Sequence, residues 1–181
     1  VYTQEELRMA LDPSAVLVAE SSLQPICEEI RRHREALEYV RDFALRKRLP
    51  VTLDVVKKIY LIFHPEEGDI KTVRYRKDVP QHRLYFHEYA PPEKILPAMR
   101  KLSEWLDEPG TKNLHAVEKV ASFHSKFMAI FPWAKESGRS ARIASNLMLQ
   151  EAGYPIAIVH SIDRQRYYEA LRGDHVTLLS M

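Results

Sequence analysis

The sequence predicts a mainly α-helical domain carrying one β-hairpin, and three observations lead there. Apolar residues recur at three- and four-residue spacing over most of the 181 residues, the mark of helices that each bury one face. Residues 72–89 are instead rich in β-branched and aromatic side chains and are broken by Pro80, Gln81 and His82, which reads as two strands and their turn. Helical spacing also runs on both sides of a short break between Phe131 and Gly138, so two helices meet there across a tight loop.

Thr3 stands three residues before Glu6, the pattern of a capping box, and begins a short helix to Leu11 that Pro13 ends. An apolar run at residues 15–19 leads to Glu20 and two serines. Pro25 separates it from a long amphipathic helix whose apolar positions include Ile30, Leu37, Val40 and Phe43. The basic cluster at residues 31–34 is flanked by acidic residues and reads as a solvated face. Thr52 is placed to cap a helix that buries Val55, Ile59 and Ile62, and residues 64–69 mark a loop. Beyond the hairpin, Pro92 suits a helix N-terminus; Ile95, Met99, Leu102 and Leu106 give that helix its buried face, and Trp105 adds apolar area. Residues 107–111 form a turn. Val117, Val120, His124, Phe127 and Met128 then share one helical face toward Phe131, where Pro132 stops the helix. Ser137 or Gly138 starts the next, through Ile143, Leu147 and Met148, and Gly153 and Pro155 end it. Asp163 is the expected N-cap of a last helix carrying Tyr167 and Tyr168.

Composition narrows the function classes. The length fits one domain, read as residues 30–181, with residues 1–29 as a helical extension. Charges balance at a formal +2, which gives no strong footprint for nucleic acid; such a partner is expected only through a further domain. The single cysteine, Cys27, excludes an internal disulfide and fits a reducing compartment. No apolar run approaches membrane-spanning length and no signal pattern opens the chain, so a cytoplasmic protein is expected. The start at Val1 and the end at Met181 after an apolar stretch suggest a piece of a longer protein. Whether the chain forms a homodimer is left open.

At the central loop, a helix N-terminus carrying Gly138, Arg139 and Arg142 suits an anion, since unpaired backbone N–H groups and the positive helix end converge there, and phosphate is the natural candidate. Spacing alone leaves open the alternative that both arginines pair with the protein's own carboxylates.

The stretch Phe131, Pro132, Trp133, Ala134, Lys135, Glu136, Ser137, Gly138, Arg139, Ser140, Ala141, Arg142 resembles the core motif of the Fic (Fido) family, HPFx(D/E)GNGRxxR, aligned without gaps. The segment around Asp78 and Val79, Tyr89 to Ile95, Ala152 to Pro155 and Arg164 to Leu171 are similar to the family in the same order, so the likeness spans roughly residues 30–171. It implies a Fic-like helical bundle whose hairpin is a flap. Through Val79, Leu84 and Phe86 the flap would dock a protein segment by strand addition. It also implies transfer of a nucleotide monophosphate from ATP, with Mg²⁺, to a protein hydroxyl.

This chain departs from that pattern where the chemistry lies. Phe131 stands at the position of the histidine base and cannot accept a proton. Lys135 stands at the acidic metal-holding position and would repel Mg²⁺. Glu136 and Ser137 replace the first glycine and the asparagine, which puts a carboxylate near the phosphate path. The expectation is a degenerate Fic domain serving as an interaction or regulatory module. It would need no cofactor, or would bind ATP with Mg²⁺ only if nucleotide binding persists. An active transferase of non-standard mechanism and a Fic-containing transcription regulator are the alternatives. Glu136 is further expected to close the anion position by pairing with one of the arginines.

Some Fic proteins carry an inhibitory helix of pattern (S/T)xxxE(G/N). Glu20 is the tempting counterpart, although Val16 and Ser21 replace the flanking residues and a surface glutamate is the simpler reading. His124 lies two helical turns before Phe131, about 10 Å away, too far to replace the base, and reads as a core histidine. His82 and His87 would reach the loop only from a folded-over flap. Trp133 and Tyr167 offer aromatic faces that fit the core better than a stacked base.

Overall fold

The computed structural model describes residues 2–12, 23–46, 50–80 and 89–173. Eight α-helices account for most of them, as the apolar spacing requires: α1 (Gln4–Leu11), α2 (Gln24–Leu45), α3 (Leu53–Phe63), α4 (Pro92–Asp107), α5 (Pro109–Lys112), α6 (Ala116–Ile130), α7 (Ser137–Glu151) and α8 (Arg164–Arg172). Helix α7 packs against α6, α2 and α3, while α4 and α8 lie on α6.

The most apolar helix is the most enclosed. Nearly every residue of α3 is buried, including Val56, Ile59, Tyr60 and Phe63, and these meet Phe123, Phe127, Ala144 and Leu147 of the α6–α7 pair in one core. Helix α4 presents Ile95, Met99, Leu102 and Leu106 inward, the face its spacing predicts. Helix α1 has the expected capping box: the Glu6 N–H donates to the Thr3 hydroxyl, and the Thr3 N–H to the Glu6 carboxylate. It covers a small second core of Ala10, Cys27 and Ile30 at the start of α2. The Arg31 Nε closes the far end of α1 by donating to the Ala10 carbonyl at 2.9 Å.

Several local expectations are corrected. Leu37 points outward at 46% exposure, and Ala36 with Val40 takes its place in the core. Thr52 and Asp163 sit at N-cap positions without a side-chain cap bond. The turn at residues 107–111 includes the single-turn helix α5.

The expected β-hairpin is not seen among the described residues. Its first arm, residues 72–79, forms no strand, and its second, residues 83–89, lies outside them except for Tyr89, as do Leu84, Phe86, His82 and His87. Within the first arm the Val73 N–H donates to the Asp69 carbonyl at 2.9 Å and the Arg76 N–H to the Pro132 carbonyl at 2.9 Å, and the Ala90 N–H donates to the Ala129 carbonyl of α6 at 3.0 Å, so these donors are taken up outside a strand ladder.

Gly153, with φ +82°, ends α7 in the left-handed conformation that favours glycine. The chain then runs extended to His160. There the Asn146 amide serves as a substitute strand, accepting from the Ala157 N–H at 2.9 Å and donating to its carbonyl at 3.2 Å.

Candidate functional site

The α6–α7 connection, residues 131–136, is fixed from three sides. Phe131 ends α6 with φ 47°, a left-handed conformation that costs a non-glycine residue about 1 kcal/mol or more. Surrounding contacts hold it there. Its ring is buried against Tyr89 at 4.6 Å between centroids, and its carbonyl accepts from the Arg76 Nε at 2.7 Å. The Arg76 Nη2 reaches the carbonyls of Ile130 and Ala90, and Nη1 that of Asp78. One buried guanidinium therefore caps the carbonyl end of α6 and brings Asp78 and Ala90 to it.

Trp133 points into the core. It is 1% exposed and lies flat on Tyr60, with centroids 4.1 Å apart and planes within 5°. Ser137, the first residue of α7, closes the loop on itself: its hydroxyl donates to the Trp133 carbonyl at 2.7 Å and accepts from the Trp133 N–H at 2.8 Å.

Glu136 is the N-cap of α7 and, at φ 59°, the second left-handed non-glycine residue. Its carboxylate lies 3.0 Å from the Arg139 Nη1. A second carboxylate, Glu29 of α2, takes the Arg139 Nη2 at 2.5 Å and also accepts from the Tyr2 hydroxyl at 2.6 Å. Arg139 lies over the Phe63 ring as well, at 5.3 Å. Burial raises the Glu29 carboxyl, but the Tyr2 hydroxyl and Arg139 outweigh it and hold the group below the usual carboxylate range. The same hydrogen bond, with the nearby Glu136 charge, raises Arg139 against the opposing effect of burial.

The loop and the first turn of α7 thus bring together Phe131, Trp133, Glu136, Ser137 and Arg139, while Lys135 is exposed. Arg142 takes no part in the Arg139 ion pairs. Its Nη1 lies 3.3 Å from where a Cβ on Gly138 would be, so a side chain at that position would crowd it. Its guanidinium has no hydrogen-bond or ion-pair partner among the described residues. Val79, at the root of the expected docking flap, is 53% exposed, and Glu20 lies outside the described residues. His124 is buried, its Nδ1 at 3.0 Å from the Ser145 hydroxyl and its Nε2 at 2.7 Å from that of Tyr167. Burial, and then the Arg142 charge, push the imidazole down to about 4.

Sequence reasoning missed Glu29, Tyr2 and Arg76. Glu29 and Tyr2 carry no local signal, because their partners are remote in the chain; Arg76 lay in a stretch read as strand. The Mg²⁺ site implied by the family resemblance does not fit these residues. The acidic position holds Lys135, Glu136 is engaged by Arg139, and no group of three metal-ligating side chains occurs among the described residues.

Comparison with known proteins extends the resemblance over most of the chain. The protein adenylyltransferase Fic of Nematostella vectensis is 30% identical over 139 residues, covering 76% of this chain and 32% of that protein. Its counterpart in Drosophila virilis is 26% identical over the same length, covering 28% of that protein. The chain therefore spans about a third of the length of these curated relatives. Among solved structures, a Fic domain containing signaling protein from Bacteroides thetaiotaomicron aligns with a TM-score of 0.71 at 26% identity, over 87% of this chain and 60% of that one. Fic-1 from C. elegans shares the fold, with a TM-score of 0.74 at 19% identity, over 97% of this chain and 52% of that one. With residues 50–149 matching the Fic/DOC family and the helix–loop–helix centred on Phe131 to Arg142 lying within them, the chain belongs to the Fic/DOC family.

Proposed function

We propose that this Fic domain has lost efficient nucleotidyl transfer and acts as an interaction or regulatory module whose anion position is closed by its own carboxylates. The observation that carries this reading is Arg139 between Glu136 and Glu29. A nucleotide phosphate entering at the first turn of α7 would meet a cation already neutralised and a carboxylate at the N-cap. Phe131 and Lys135 at the positions of the family's base and metal-holding acid support the same conclusion: losing a general base alone costs roughly 10²–10⁴ in rate. The partner is a protein segment docking at Val79, Leu84 and Phe86, and the supporting observation is that Arg76 ties the flanking Asp78 and Ala90 to the loop.

Calorimetry with ATP, with and without Mg²⁺, tests the closure, and incubation with radiolabelled ATP and candidate proteins tests the chemistry. The wild type is expected to show neither micromolar binding nor transfer, and Glu136→Gly to gain ATP binding that a further Arg139→Ala removes. Micromolar, magnesium-dependent binding to the wild type, or robust transfer by it, would reject the reading.

A further inference from the structure

A cavity of about 350 Å³ lies between α6, α7, the start of α8 and the extended segment after Gly153, a size within the range of small-molecule sites. None of residues 131–136 lines it, nor does Gly138 or Arg139. Its walls are largely apolar, with Val117 and Val120 from α6, Leu149 from α7, and Ile158 and Val159 from the extended segment. Polar groups of the lining are mostly committed elsewhere. Asn146 holds the Ala157 backbone, and His124 bonds both Ser145 and Tyr167. Arg142 differs: it is partly buried, lines the cavity, and has no partner among the described residues.

We infer that this cavity binds a small monoanion with an apolar body, its carboxylate or sulfonate on Arg142 and its hydrocarbon between α6 and the 158–159 segment. The inference does not rest on the closed anion position proposed above. A guanidinium pairs well with a planar carboxylate. His124 stays neutral beside it, since its imidazole is pushed down to about 4. Of the remaining charged groups in the lining, Asp163 and Arg166 at the start of α8, the Asp163 carboxylate disfavours a polyanion such as a nucleoside triphosphate. Apolar area supplies the affinity, and the Arg142 guanidinium, which has no partner among the described residues, supplies the selection.

Anilinonaphthalene sulfonate, a fluorescent apolar monoanion, and uncharged phenylnaphthylamine are the probes. The sulfonate is expected to bind the wild type at one per chain, more tightly than the amine. Arg142→Gln should weaken the sulfonate roughly tenfold, the effect of losing a charge-assisted contact, and leave the amine unchanged. Ala121→Phe, which fills the cavity from α6, should abolish both. Unchanged near-ultraviolet circular dichroism shows that each variant is folded, and Val120→Phe serves where Ala121→Phe fails that check. Equal affinity for the two probes, indifference of the sulfonate to Arg142→Gln, persistence of either probe in the filled variant, or displacement of the sulfonate by ATP would overturn the assignment.

Discussion

Arg76 shows how much of the loop rests on one side chain. Its Nε and both Nη atoms donate to backbone carbonyls of Ile130, Phe131, Asp78 and Ala90, two of them at the end of α6 and two in segments without regular structure. Arg76→Met keeps the aliphatic stem and strands those acceptors, so urea unfolding is expected to show a loss of about 3 kcal/mol, with Arg76→Lys recovering only part of it. A change within about 0.5 kcal/mol, the range of ordinary surface substitutions, would show that water replaces the guanidinium. His124 makes a prediction in pH. Its ordinary value is 6.5, and in the folded chain burial lowers it to about 4. Between these values the unfolded chain binds the proton and the folded chain does not, so stability should fall as pH drops from about 6.5 toward 4. The loss amounts to roughly 3 kcal/mol. Urea midpoints across that window measure the slope, and His124→Gln should flatten it.

At the scale of elements, the junction of α2 with α7 is the pairing of interest. Glu29 is held below the usual carboxylate range, burial opposing and the Tyr2 hydroxyl and Arg139 prevailing. A lowered carboxyl stabilises the fold at neutral pH, and that contribution is lost as pH falls through its folded value. Glu29→Gln should therefore lower the Tm at pH 7 and converge with the wild type under strongly acid conditions. With the Glu29 side chain 42% exposed, solvent screening keeps the effect to about 1 kcal/mol or less. A deficit that persisted unchanged in acid would place the cause in packing rather than charge. Helix α1 adjoins this junction through the preceding Tyr2 and rests on its own small core.

Across the whole molecule, that division predicts an order of opening. Helices α3, α6 and α7 share the main core, whereas α1 rests on a small cluster of Ala10, Cys27 and Ile30 with Tyr2, Met9, Leu23 and Ile26 around it. Amide hydrogen exchange should be slowest in α6 and α7 and fastest in α1 among the helices longer than one turn; equal protection of α1 and α7 would show a single cooperative unit. The helices were legible in the sequence because three- and four-residue apolar spacing is a local property, as in α4, where Ile95, Met99, Leu102 and Leu106 all turned inward. So was the break at Pro132, since a proline and a helix-starting serine act on their own neighbours. The family was legible too, from the order of several short segments around a loop. Contacts between distant parts of the chain were not. That Arg139 pairs with Glu29 from α2 as well as with adjacent Glu136, that Arg76 bonds carbonyls across the fold rather than a neighbouring strand, and that Arg142 lines a separate cavity were decided by the packing of α2, α3 and α6 around α7 and of α8 on α6. Side-chain partners are chosen by distance in space, and periodicity specifies only which face of each helix turns inward.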